Sequence, residues 1–191
     1  MRKFPVAILA AVVLAFSMPS FAQGGLPKFE VFGGYEYLHM GSNTNGFFAT
    51  GQGFNGWNID AAYRLHRYLG VEGDVGGTYA TIGGLSTHVY TYTGGPVIGA
   101  NVGPIQPFVH VLAGGARLST GQSGASVSWN GLAVMAGGGV DAKVFPMISV
   151  RLIQFDWLYY HFGSQNFFGE ATPSTSASNN VRISTGVVVR F

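Results

Sequence analysis

Val181-Arg182-Ile183-Ser184-Thr185-Gly186-Val187-Val188-Val189-Arg190-Phe191 is the stretch whose reading decides the fold. Taken in twos, Val181, Ile183, Thr185, Val187, Val189 and Phe191 share one face, while Arg182, Ser184, Gly186, Val188 and Arg190 share the other. A period of two with an apolar face and a charged or small face is a β-strand. An unpaired apolar edge here would template aggregation, so the strand needs a neighbour. The first strand of the mature chain is the natural partner, and that pairing closes the sheet into a barrel.

The opposite end reads as an export signal. Arg2 and Lys3 precede a short apolar run, Phe4 to Phe16, followed by Ser20 and Ala22 as small residues at a cleavage site. This three-part layout predicts a signal peptide over residues 1–22 and a mature domain over residues 23–191. The apolar run is too short to span a bilayer, which takes about 20 residues. Removing Arg2 and Lys3 leaves the mature chain with as many acidic as basic residues, so its charge gives no support for nucleic-acid binding. With no cysteine there is no disulfide framework.

Charged residues make up only 9% of the chain, against 14% aromatics and 30 glycines. A water-facing surface needs more charge than that. A soluble lipocalin-like barrel, with apolar residues inside and charges outside, is therefore disfavoured. No apolar run beyond the signal is long enough for a helical span. Backbone polar groups in lipid must be satisfied internally, by helices or by a closed barrel. The expectation is an all-β fold, an eight-stranded antiparallel up-and-down transmembrane β-barrel.

Eight strands are predicted, at about 29–39, 57–66, 69–79, 87–98, 105–118, 128–143, 148–160 and 181–191. Facing is clear where apolar and charged residues alternate, as in Ile59, Ala61 and Tyr63 against Asp60 and Arg64. It is ambiguous in the fifth strand, where Val109 and Val111 alternate with Phe108, His110 and Leu112. In the seventh, Arg151 and Asp156 have opposite parity, so either a β-bulge intervenes or one of them faces outward. Turns near Arg67, 99–103 and Phe145 are short, and the connections at 40–56, 82–86, 119–126 and 161–180 are mostly longer. Short turns on one rim and long loops on the other is the outer-membrane arrangement. Tyr37, Trp57, Tyr79, Tyr90, Trp129 and Trp157 are expected to form one aromatic belt, and Phe29, Tyr63, Tyr68, Phe145 and Phe191 the other.

Burial fixes which way the charges point, since a basic side chain facing lipid at the midplane costs about 2–4 kcal/mol. Glu36, Asp60, Arg64, Glu72, Asp74, Arg151 and Arg182 are thus expected to form a lumenal ion-pair network. An unpaired buried charge is costly, so these residues should satisfy one another. Glu72 and Asp74 also invite a catalytic-pair reading, but carboxylates near arginines are more simply ion pairs.

Gly51-Gln52-Gly53-Phe54-Asn55-Gly56 matches G-x-G-x-x-G by letter. It does not open a helix, so it is read as an extracellular loop rather than a dinucleotide site. His39, His88 and His161 near the long-loop rim lack ligand spacing. No catalytic residue, cofactor or metal is expected.

The chain resembles the OmpA-like outer-membrane β-barrel family. The resemblance rests on the signal peptide, the eight strands, Leu69-Gly70-Val71-Glu72-Gly73-Asp74, Pro107-Phe108-Val109, Gly114-Gly115-Ala116 and the terminal Phe191. It implies an outer-membrane location in a Gram-negative envelope, with Phe191 as the signal read by the outer-membrane assembly machinery. Members that bind peptidoglycan do so with a separate domain, and none is expected here. The expected partners are outer-membrane lipids, lipopolysaccharide, the assembly machinery and an extracellular ligand of the loops, and a monomer is expected. The expected role is structural or surface-interactive, without catalysis. The alternatives are a narrow pore for small solutes, made conceivable by Gly34, Ala62, Gly76, Gly137, Gly139 and Gly186, and a lipid-modifying enzyme.

Overall fold

A computed structural model describes residues 28–41, 51–122, 125–162, 165–167, 170–172 and 175–191, with side chains described for these except 122, 125–127, 165–167, 170–172 and 175–179. The predicted signal peptide lies outside the described residues.

The strands are β1 (Phe29–Met40), β2 (Gln52–Arg64), β3 (Leu69–Ile82), β4 (Leu85–Gly99), β5 (Ile105–Gln122), β6 (Ala125–Lys143), β7 (Ile148–Phe162), β8 (Gln165–Phe167), β9 (Glu170–Thr172) and β10 (Thr175–Arg190). Eight of them close a barrel in the order β1-β10-β7-β6-β5-β4-β3-β2, and β8 and β9 form a separate hairpin. Every pairing is antiparallel, and β1 meets β10 through an unbroken register from Glu30↔Arg190 to His39↔Val181. The seam is finished by the backbone of Phe191, whose N–H donates to Phe29 O at 2.8 Å while its carbonyl accepts from Lys28 N at 3.0 Å.

Short turns at residues 65–68, 100–104 and 144–147 share a rim with both described ends of the chain. At the other rim the strands run further than the apolar alternation predicts. β3 and β4 are joined by Gly83-Gly84 alone, both at positive φ (57° and 82°), the geometry of a tight hairpin turn that a side chain would strain. The expected longer connections at 82–86 and 119–126 are therefore mostly strand. The G-x-G-x-x-G segment is likewise no loop: Gln52 through Gly56 lie in β2, with Phe54 fully buried. Beyond the lipid the contrast between faces fades, but backbone pairing continues.

The wall faces outward with Ile59, Val75, Tyr92, Val111, Phe155 and Val187, all about half exposed. A continuous apolar exterior of this kind is stable only against lipid. The ambiguous fifth strand turns Val109 outward (58% exposed) and His110 inward (3%). In β7 the register slips, Val140 pairing with Ile153 but Asp141 with Arg151. Leu152 and Ile153 both face outward at this bulge, so Arg151 and Asp156 both point into the lumen. Of the expected belt residues, Tyr37, Trp57, Tyr79, Tyr90, Trp157, Tyr63, Tyr68 and Phe145 are exposed. Phe29 and Phe191 are half-buried beside each other at the seam, and Trp129 packs against the interior apolar cluster.

Candidate functional site

Among the described residues, charge gathers in the lumen. Glu30, Glu36, Asp60, Glu72, Asp74, Asp141 and Asp156 all point inward and are almost wholly buried, as are Arg151, Arg182, Arg190 and His110. Arg64 stands slightly more open at the short-turn rim. Strand parity places them: each is an inward residue of a half-lipid-facing strand, where lipid excludes charge from the other side.

These side chains form a continuous network. At the short-turn end Glu30 Oε1 accepts from Arg64 Nε at 2.7 Å and lies 3.2 Å from Arg190 Nε. Arg190 also donates to Ser149 and, at 2.7 Å, to Asp141 Oδ2. Asp141 Oδ1 then accepts from Arg151 Nε at 2.9 Å, and Arg151 Nη1 donates to Asp60 Oδ2 at 2.7 Å. The Arg151 guanidinium is held between two rings, 4.2 Å from the centroid of Phe32 and 4.3 Å from that of Phe108. Such cation–π contacts fix a planar cation without further desolvating a carboxylate.

Gln154 links this lower group to a second one. Its Oε1 accepts from Arg151 Nη1 at 2.5 Å and its Nε2 donates to Asp156 Oδ2 at 2.8 Å. Arg182, fully buried, grips Asp74 with two bonds of 2.9 and 3.0 Å, donates to Asp156 Oδ2 at 2.8 Å, and lies 3.6 Å from Glu36. A bidentate guanidinium–carboxylate pair is the strongest of these contacts and the most demanding in geometry. Asn58 Nδ2 adds a bond of 2.5 Å to Asp74. His110 bridges two carboxylates, Glu72 at 2.9 Å from Nδ1 and Asp156 at 2.8 Å from Nε2. Each ring nitrogen faces one carboxyl group, so the imidazole ties Glu72 of β3 to Asp156 of β7.

All seven residues expected to form a lumenal network lie in the lumen: six are ion-paired through the arginines, and Glu72 is hydrogen-bonded to His110. Glu30, His110, Asp141, Gln154, Asp156 and Arg190 belong to the same network. His110 carries no parity signal, because both faces of β5 are apolar. Gln154 and Asp156 are displaced from Arg151's simple parity by the bulge.

Above the charges the lumen changes character. Leu38, Met40, Phe54, Leu112, Met135 and Leu158 are essentially inaccessible and pack together, with Tyr160 and Phe162 joining them. The half of the lumen toward the long loops is therefore apolar. The inward glycines leave no open space. A Cβ at Gly76 would lie 2.7 Å from the Glu36 carboxylate, one at Gly137 2.1 Å from Asp156 Oδ1, and one at Gly139 2.9 Å from the Phe108 ring. The glycines make room for neighbouring large side chains.

His39 and His161 are exposed on the outer wall, and His88 packs edge-on against Tyr79. Among the described residues no three His, Cys, Asp or Glu side chains are placed to hold a metal ion.

The comparisons agree with this geometry. The family model for the outer membrane protein beta-barrel domain matches residues 8–191. Neisserial surface protein A is similar in structure with a TM-score of 0.65 at 16% identity, over 88% of this chain and 100% of that one. Outer membrane protein W of E. coli gives 0.56 at 13% identity, over 88% and 100%. OprG of Pseudomonas aeruginosa gives 0.56 at 12%, over 87% and 96%. No curated protein sequence matches the chain. Closed eight-stranded barrel, apolar exterior and family match lead to one conclusion: the chain belongs to the outer membrane protein β-barrel domain family and resides in the outer membrane.

Proposed function

We propose that this protein is a non-conducting outer-membrane barrel whose role is exercised at its long-loop rim, as a surface-interaction and envelope component rather than as an enzyme. The observation that carries this reading is the filled lumen. An eight-stranded barrel has just enough interior to be packed by side chains. Here a charged layer reaching from Glu30 to Arg182 is capped by an apolar layer of Leu38, Phe54, Leu112 and Leu158. A permeating ion would have to displace matched ion pairs and then cross an apolar constriction, each an expensive step. The strands extended at that rim give the barrel a protruding platform for contacts. Phe191 is read as the assembly signal.

The test is single-channel conductance of the refolded mature protein in a planar bilayer, with the mobility difference between unboiled and boiled samples as proof of folding. A folded protein that stays silent supports the reading. Steady discrete conductance refutes it and makes the chain a narrow pore.

A further inference from the structure

Arg117 stands apart from the other arginines. It lies on β5 facing outward, and among the described residues it has no carboxylate partner. Its guanidinium makes a long bond to a side chain, 3.4 Å from Nη2 to Ser128 Oγ. It lies twelve residues beyond Ile105, the short-turn end of β5. At ~3.3 Å per residue and a tilt near 45°, that is about 28 Å up the wall. The apolar band of such barrels is about 25 Å tall, so the guanidinium sits at headgroup level in the leaflet facing the long loops. Lys28, Arg67 and Lys143 are exposed at the opposite rim, which leaves Arg117 as the outward Arg or Lys of this one among the described residues.

Its surroundings are built for an amphiphile. Tyr90 and Asn130 are its cross-strand neighbours on either side. Just above, Ser119 and Ser128 share a hydroxyl–hydroxyl bond of 3.0 Å. Just below, the Tyr92 ring lies over Gly115, where an added Cβ would be 2.4 Å from the ring. Leu132, Val111 and Val109 continue an exposed apolar wall toward the midplane. We infer that Arg117, with Ser119, Ser128 and Asn130, binds the phosphate of a phosphorylated lipid in the outer leaflet, whose acyl chains lie along the wall beneath. An arginine offers a planar fork matched to phosphate oxygens, and hydroxyl and amide groups complete the donor set. A free anion gains nothing from the apolar wall, which is why the ligand is a lipid. The inference does not depend on whether the lumen conducts.

The experiment is native mass spectrometry of the refolded protein with diphosphorylated lipid A, fully dephosphorylated lipid A and inorganic phosphate as probes. Wild type is expected to retain diphosphorylated lipid A. Arg117→Ala should weaken that binding about tenfold, the scale of one charge-assisted contact. Ser128→Ala should weaken it several-fold and serves as the independent variant if Arg117→Ala fails the gel test of folding. Lys143→Ala, at the other rim, should leave it unchanged. The inference is overturned if Arg117→Ala and Ser128→Ala bind like wild type, if Lys143→Ala loses as much, or if dephosphorylated lipid A binds equally well. Displacement by inorganic phosphate at equal concentration would also overturn it, assigning a soluble-anion site instead.

Discussion

Replacing Arg182 with methionine removes the hub of the upper charge network while keeping most of the side-chain volume. Arg182 is fully buried and serves Asp74 at 2.9 Å, Asp156 at 2.8 Å and Glu36 at 3.6 Å. The three carboxylates are not left equally stranded. Asp156 keeps His110 and Gln154, and Asp74 keeps the Asn58 amide. Glu36 keeps no ion-pair partner among the described residues. Breaking a buried pair by removing one partner costs about 3–5 kcal/mol, because the other charge stays buried. Arg182→Met is expected to lose that much in urea unfolding of the refolded protein in lipid vesicles, followed by tryptophan fluorescence. The double variant Arg182→Met/Asp74→Asn should lose less than the sum of the two singles, with a coupling of at least about 1 kcal/mol. If Arg182→Met stays within about 0.5 kcal/mol of wild type, the lumenal charges are solvated, and the reasoning from burial fails.

The same unfolding assay tests two other lumenal positions. His110→Ala leaves Glu72 and Asp156 without the ring that bridges them, and a loss of about 3 kcal/mol or more is expected. Gly137→Ala drives a methyl to 2.1 Å from Asp156 Oδ1 and should cost about 1–3 kcal/mol, whereas Gly73→Ala, with nothing within 4 Å, should stay within about 0.5 kcal/mol. Equal effects of the two glycine variants would contradict the packing described. Phe191→Ala keeps the backbone bonds that finish the seam, so it should refold in vitro like wild type. In cells it should reach the outer membrane in lower amount, measured by quantitative blotting of membrane fractions; normal levels would remove Phe191 as the assembly signal.

Much of the barrel is written in strand parity. Arg182 opposes Val181 and Ile183, and Asp60 and Arg64 oppose Ile59 and Tyr63, so lipid on one side dictates the other. The odd spacing of Arg151 and Asp156 carried the bulge, since only an extra residue lets both charges escape lipid. Where the lumen is apolar, parity is silent. Phe108 and Leu112 look the same as Val109 and Val111, and His110 between them gives no direction without its partners. The apolar cap is hidden for that reason, because both faces of β5 and β6 near the long-loop rim suit either environment. Trp129 shows the same limit: an aromatic at a strand end fits a belt or a core equally well. Strand ends at that rim carry no alternation signal, because pairing outlasts the lipid that imposes it. Arg117 is legible only once its height and facing are known.

The filled lumen is tested most directly at Leu112, fully buried in the apolar cap. The chain has no cysteine, so Leu112→Cys and Ser86→Cys each place a single thiol, the second at an exposed rim position. Each refolded variant is treated with a charged, membrane-impermeant thiol reagent and followed by mass. Modification is expected to be rapid at 86 and absent at 112 until the protein is unfolded. Rapid modification at 112 in the folded barrel would mean that water and ions reach the middle of the lumen, and would contradict its being filled.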